Sequence, residues 1–164
     1  MYTGKHVRLR PLQPAFIMAA TGEIVTFAEL EGRNNRLAHL FRKLGLKRLD
    51  HYAIFMENNS RYLEACGAGE RAGLYYTCVN SYLTASELAY IVNNSESRVL
   101  ITSMAKLGVA REALKECPRV ELCIVADGPG ESKRIVGLEV ATAGGARRIK
   151  HRGADALVRD RRVG

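Results

Sequence analysis

The chain reads as an α/β protein: a layered, mostly parallel sheet with flanking helices. Three observations predict it. Short strand-like apolar runs alternate with helix-like amphipathic stretches four times over, the pattern of α/β layers. The run Tyr52–Met56 is apolar throughout, as expected of a strand covered on both faces. Two Thr-x-x-Glu signatures, Thr26/Glu29 and Thr84/Glu87, stand where helices should begin as capping boxes.

The elements follow in order. Residues Met1–Gln13 are polar and basic without a clear period, so no element is assigned there. Ala15–Ala19 and Glu23–Thr26 predict two short strands, with Thr21-Gly22 as a hairpin turn. Thr26 then caps a helix whose apolar face carries Phe27, Leu30, Leu37, Phe41 and Leu44, with Gly45 as a left-handed stop. After Tyr52–Met56, Ser60 is the expected cap of a second helix running to Ala72, with Gly73 ending it. Small residues Ala65, Gly67, Ala68 and Gly69 predict close packing of this helix. Tyr75–Val79 is the next strand, with one tyrosine ring expected near a surface, and Thr84 caps a third helix with Leu88, Ile91 and Val92 on its apolar side. Arg98–Thr102 is a third internal strand. Met104, Leu107, Ala110 and Leu114 mark a fourth helix, and Leu122–Val125 a fourth internal strand before the loop Asp127-Gly128-Pro129-Gly130. Crossovers between parallel strands should be right-handed.

Composition narrows the class. Hydrophobic content of 47% with 26% charged residues fits a globular domain. The net charge of +8 is concentrated at one end. Between Ala146 and Gly164 seven basic residues (Arg147, Arg148, Lys150, Arg152, Arg159, Arg161, Arg162) face only Asp155 and Asp160. The periodic pattern fails near Ala143, so residues 144–164 are expected to be a disordered basic tail on a domain spanning 1–143. No zinc spacing, recognition helix or aromatic RNA-binding motif accompanies the basic residues, and specific nucleic-acid binding is not expected. Cys66, Cys78, Cys117 and Cys123 form no CxxC pair, and buried free thiols in a reducing compartment are expected. Ala15–Ala20 is too short for a signal-peptide core or a membrane span, which points to the cytoplasm.

The search for chemistry returns scaffold roles. No GxxxxGK[ST] loop is present to cradle phosphates, and none of the strand-to-helix joins is glycine-rich. Gly67-Ala68-Gly69 falls inside a helix, and Gly128-Pro129-Gly130 lacks a third glycine. His6, His39, His51 and His151 have no partner at metal-ligand spacing and no neighbouring nucleophile in a recognisable frame. Ser60, Thr84, Glu29 and Glu87 are accounted for by helix capping. No catalytic, cofactor-binding or metal-ligating residue is assigned.

The order of the motifs adds a resemblance. Ile24-Val25-Thr26-Phe27-Ala28-Glu29-Leu30 resembles the "lTYaEL" opening of the adenylate-forming acyl-CoA synthetases, with Leu37-Ala38, Leu44-Gly45 and Asp50 following at the family's positions. Ala53–Asn58 resembles the family's "VALLLpN" strand, and Ala68–Gly73 with Val79-Asn80 its "lraGav..pvN" segment. Leu83-Thr84, Glu87-Leu88, Tyr90-Ile91 and Arg98–Thr102 continue the pattern, so the resemblance covers roughly Pro14–Gly137. The fatty-acyl-CoA branch is the nearer match.

The resemblance implies the fold of the family's N-terminal subdomain. It also implies a reaction in which ATP and magnesium activate a carboxylic acid to an acyl-adenylate that coenzyme A then attacks. Fatty acid and coenzyme A would be the partners. The family's Ser/Thr/Gly-rich phosphate loop, its tyrosine-glycine-x-threonine-glutamate motif, its ribose-binding aspartate and its catalytic lysine do not occur among these residues. Thr26, Asn80 and Thr84 match only scaffold positions. A truncated or frameshifted ligase, inactive alone and needing no cofactor of its own, is therefore the expectation. Self-association through uncovered apolar surface would follow; the alternatives are a non-catalytic α/β binding or interaction module and non-specific nucleic-acid binding through the Arg-rich tail.

Overall fold

The computed structural model describes residues 3–132 and 134–138. The expected tail and the Ala143 boundary lie outside the described residues.

Chain entry differs from expectation. Residues Gly4–Leu9 form a helix, α1, where no period is visible. Its position rests on distant contacts: Thr3 Oγ1 donates to Glu31, and the His6 ring stacks on Phe27 at 4.9 Å between centroids. Strands β1 (Pro14–Ile17) and β2 (Ile24–Thr26) then pair antiparallel, as the hairpin signal predicts, with Gly22 at φ 72° in the turn.

Helix α2 (Phe27–Lys43) opens on the Thr26/Glu29 capping box. The Glu29 amide donates to Thr26 Oγ1 at 3.2 Å, and the Thr26 amide to the Glu29 carboxylate at 2.8 Å. Gly45, at φ 78°, follows the helix end as predicted. Strand β3 (His51–Phe55) is followed by helix α3 (Tyr62–Ala72), strand β4 (Tyr75–Val79) and helix α4 (Ala85–Asn94). Next come strand β5 (Val99–Thr102), helix α5 (Leu107–Ala113) between two short 3₁₀ turns, and strand β6 (Leu122–Val125). A fifth parallel strand, β7 (Ile135–Gly137), is one more than the sequence pattern predicts. Three residues are too few to show a period.

Two side-chain expectations are corrected. Ser60 does not cap α3: Arg61 occupies the N-cap position without a side-chain bond, and Asn59 Oδ1 accepts from the Arg61 amide at 2.9 Å instead. Cys78 is exposed, whereas Cys117 and Cys123 are buried and Cys66 is intermediate. The apolar run around Cys78 reads as internal, but β4 lies at the sheet edge, where one flank stays open.

The parallel sheet has the order β4-β3-β5-β6-β7. Helices α2 and α3 cover one face, against Tyr52, Ile54, Ile101 and Ile124. Helices α4 and α5 cover the other, against Ala53, Phe55, Leu100 and Cys123. Alternate residues of each strand feed the two cores, which explains why β3, β5 and β6 are apolar at nearly every position. The small residues of α3 act as predicted. A Cβ on Gly67 would meet Asn34 Nδ2 of α2 at 2.3 Å, and one on Gly69 would meet Tyr52 Oη of β3 at 2.2 Å.

Candidate functional site

The strand order locates the candidate site. From β3 the chain moves outward to β4 on one side, then returns to place β5 on the other side of β3. The segment leaving β3 enters α3 on one face, and the segment leaving β5 enters α5 on the opposite face. Two segments that part in this way mark a topological switch point at the carboxyl ends of their strands, the place where open α/β sheets bind ligands.

Polar residues from three strand ends converge there. Ser103 Oγ, just past β5, donates to Glu57 Oε2 at 2.6 Å. Asn59 Nδ2 donates to Asp127 Oδ2 at 2.6 Å and reaches Glu57 Oε1 at 3.3 Å. The Met104 amide donates to Asp127 Oδ1 at 2.7 Å. Met104 is held close because residue 128 is glycine: a Cβ there would lie 2.3 Å from Met104 Cγ. Thr102 Oγ1, at the end of β5, is buried with no hydrogen-bond partner. On the β4 side, Lys106 Nζ sits 5.3 Å from the centroid of the exposed Tyr82 ring.

Partial burial pushes the Glu57 carboxyl up, but bonds from Ser103, its own amide and Asn59, with the charge of Lys106, outweigh this and hold it below the usual carboxylate range. A depressed native pKa stabilises the fold above the unfolded value, about 4.3 for Glu, and that stabilisation is lost as pH falls through the native value. The expected result is a melting temperature for the parent protein above that of Glu57→Gln at pH 7, with the gap closing between about pH 5 and pH 3. Parallel thermal melts check it, and a gap independent of pH would contradict it.

A second polar region lies at the opposite, amino-terminal edge of the sheet. A cavity of about 500 Å³ there is lined by Asp50, His51, Glu96, Arg98, Arg119 and Glu121, among others. Its charges are paired with one another: Arg98 contacts Asp50 and Glu121 at 2.6 Å each, and Arg119 contacts Glu96 at 2.8 Å. The His51 ring contacts the Ser95 carbonyl through Nδ1 at 2.6 Å. These pairs tie the loops before β3, β5 and β6 together. That is a structural use, so size does not make this cavity the functional site.

The residues singled out in the sequence lie apart from the crevice. Thr26 and Glu29 close the α2 cap and Thr84 and Glu87 the α4 cap, where the Thr84 amide donates to Glu87 at 2.8 Å. His39 is exposed on α2, and His151 lies outside the described residues. Conversely, Glu57, Asn59, Ser103 and Asp127 gain their roles only from the strand order. In the sequence they are ordinary loop residues on three separate segments, at 57–59, 103 and 127. Among the described residues there is no group of three metal-ligating side chains. No helix among them is long and apolar enough to cross a membrane.

Comparison with known proteins agrees with this architecture. The family described as "AMP-binding enzyme" matches residues 5–153. The chain is 38% identical over 90 residues to a long-chain-fatty-acid–CoA ligase of Salmonella typhimurium, covering 54% of this chain and 16% of that protein. It is 27% identical over 131 residues to the 4-coumarate–CoA ligase CCL1 of Humulus lupulus, covering 80% of this chain and 24% of the relative. The fold is similar to that of a benzoate CoA ligase from Burkholderia xenovorans, with a TM-score of 0.74 and 22% identity over 87% of this chain and 27% of the other. The chain thus spans a quarter or less of the length of these two curated relatives. With the parallel sheet and motif order already described, the match over residues 5–153 shows that the chain belongs to the AMP-binding enzyme family of adenylate-forming acyl-CoA synthetases.

Proposed function

We propose that this chain forms part of the scaffold of an AMP-forming fatty acid–CoA ligase, and that the 164 residues by themselves do not form an acyl-adenylate. The 1–143 segment is the sheet-bearing unit in this reading, and the cytoplasm its compartment. The observation that carries the reading is the state of the switch-point crevice. Its donors, Ser103 Oγ, Asn59 Nδ2 and the Met104 amide, are all engaged by the carboxylates of Glu57 and Asp127. Two carboxylates facing a crevice repel a triphosphate, and the phosphate-binding amides of a glycine-rich loop are missing from the sequence. The described residues therefore lack the amide cradle for a triphosphate, and no chemical step is assigned to them. The similarity to a long-chain-fatty-acid–CoA ligase of Salmonella typhimurium supports a fatty acid as the acid partner.

Incubating the purified chain with a long-chain fatty acid, ATP, magnesium and coenzyme A tests this directly. The expected release of AMP and pyrophosphate equals that of a protein-free blank. Turnover that depends on the fatty acid and persists through repurification would refute the proposed inactivity.

A further inference from the structure

One residue on the core face of α2 differs in kind from its neighbours. Asn34 stands one turn after Leu30 and one turn before Leu37 and Ala38, all buried, and is itself 1% exposed. Its carboxamide lies against α3 where residue 67 is glycine: a Cβ there would stand 2.3 Å from Nδ2 and 3.0 Å from Oδ1. Asn34 Oδ1 is buried and has no hydrogen-bond partner among the described residues. A buried amide oxygen that has left water without gaining a donor is costly, and such groups are uncommon in folded proteins.

Asn34 and Gly67 form part of the wall of a cavity of about 180 Å³ between α2, α3, β1 and edge strand β4. Ala15, Leu30, Leu63 and Cys66 give it apolar sides. Its other polar groups are engaged: Thr3 Oγ1 donates to Glu31, and the Tyr76 phenol donates to Glu70 at 3.5 Å. Glu70 lines the cavity, and among the described residues no lysine or arginine does. A carboxylate ligand would therefore meet a like charge and no counter-charge. The space suffices for one substituted ring, because a cavity of about 150 Å³ holds benzene.

We propose that this cavity is a binding site for a small neutral molecule of the phenol class, an apolar body with one hydroxyl that donates to Asn34 Oδ1. The apolar sides take the ring, and the hydroxyl supplies the donor that the buried oxygen lacks. A ligand of the same shape without a donor would leave that oxygen as it is. The switch-point residues Glu57, Asn59, Ser103 and Asp127 do not line the cavity, so the site does not depend on the ligase reading above.

The test is a nitrogen-15 NMR titration of the full chain with phenol and, separately, with toluene, which has nearly the same shape but no donor. Phenol is expected to give saturable shifts at the Asn34 side-chain amide and the Gly67 backbone amide, and to bind about tenfold more tightly than toluene. A wholly apolar cavity gives the opposite order, because phenol surrenders its bonds to water on entry and regains none. Asn34→Leu keeps the branched shape and removes the acceptor, so in that variant toluene should bind more tightly than phenol; circular dichroism verifies its fold. Hexanoate at neutral pH should give no saturable shift at either amide. The proposal fails if phenol does not shift Asn34 and Gly67 saturably, if toluene binds the parent at least as tightly as phenol, or if hexanoate saturates the site. It fails equally if folded Asn34→Leu still prefers phenol, and should that variant not fold, the comparison of phenol with toluene on the parent decides by itself.

Discussion

Replacing Gly69 by alanine is expected to destabilise the protein by about 2–4 kcal/mol, although alanine is the better helix former. The propensity gain in a helix interior is about 1 kcal/mol. Against it stands a Cβ placed 2.2 Å from Tyr52 Oη, 2.7 Å from Cε1 and 2.8 Å from Cζ. Tyr52 has nowhere to go. It is fully buried, its ring packs on Phe41 at 4.8 Å between centroids, and its hydroxyl donates to the Ala65 carbonyl at 2.6 Å. Burial drives the phenol's pKa far upward, so it remains a neutral donor. Overpacking costs typically 1–3 kcal/mol, and displacing the phenol from its buried bond adds about 1–3 kcal/mol. Urea unfolding reads the loss. Combining Gly69→Ala with Tyr52→Phe removes the closest atom but leaves the ring carbons, so the pair should recover part of the loss and show coupling. Gly69→Ala stability at or above the parent value would mean that α3 lifts off the sheet at no cost.

The second large effect is expected at Arg134. Its guanidinium lies behind β6 and donates to three backbone carbonyls. Nη1 reaches Leu114 O at 3.2 Å, Nη2 reaches Cys117 O at 2.6 Å, and Nε and Nη2 reach Val120 O at 3.1 and 2.8 Å. The Leu114 and Cys117 carbonyls also accept from the Cys117 and Val120 amides, at 3.3 Å each, so the fork reinforces a turn held by two long backbone bonds. Arg134→Ala removes the side-chain donor from all three, leaving Leu114 O and Cys117 O one long amide bond each, and should cost about 1–3 kcal/mol. Lysine keeps the charge but cannot present a planar fork, so Arg134→Lys should recover less than half of the loss. Urea titration gives the magnitude, and amide exchange should speed up most between Leu114 and Leu122. A change below about 0.5 kcal/mol in Arg134→Ala would show that water replaces the fork well enough.

What the sequence reveals and what it conceals divide along the range of the interactions. Both capping boxes, the left-handed Gly45 and Gly73, and strands β3 to β6 are legible, because each is specified within a few residues. Helix α1 is not legible, because it is held by Glu31 and Phe27, partners more than twenty positions away. The cap assigned to Ser60 fails because Asn59, a better backbone mimic in a turn, takes the role one residue earlier. Cys78 sits in an apolar run that looks internal, yet edge or centre is decided by strand order, which local pattern does not encode. The candidate site is concealed for the same reason. Glu57, Ser103 and Asp127 meet only because β5 inserts beside β3 and β6 beside β5, and each alone resembles any loop residue.

The order β4-β3-β5-β6-β7 has a further consequence, for the sequence of events as a chain leaves the ribosome. Once residue 79 has emerged, β3 and β4 can pair, and that flank receives no further strand from the described residues. From then on β5, β6 and β7 are added on the other flank in the order of their synthesis, each beside the strand laid down before it. Among the described residues no later strand has to be threaded between two that are already joined. The pairing problem of a parallel sheet, slow because its partners are distant in the chain, is thereby reduced to a series of single additions at one advancing front.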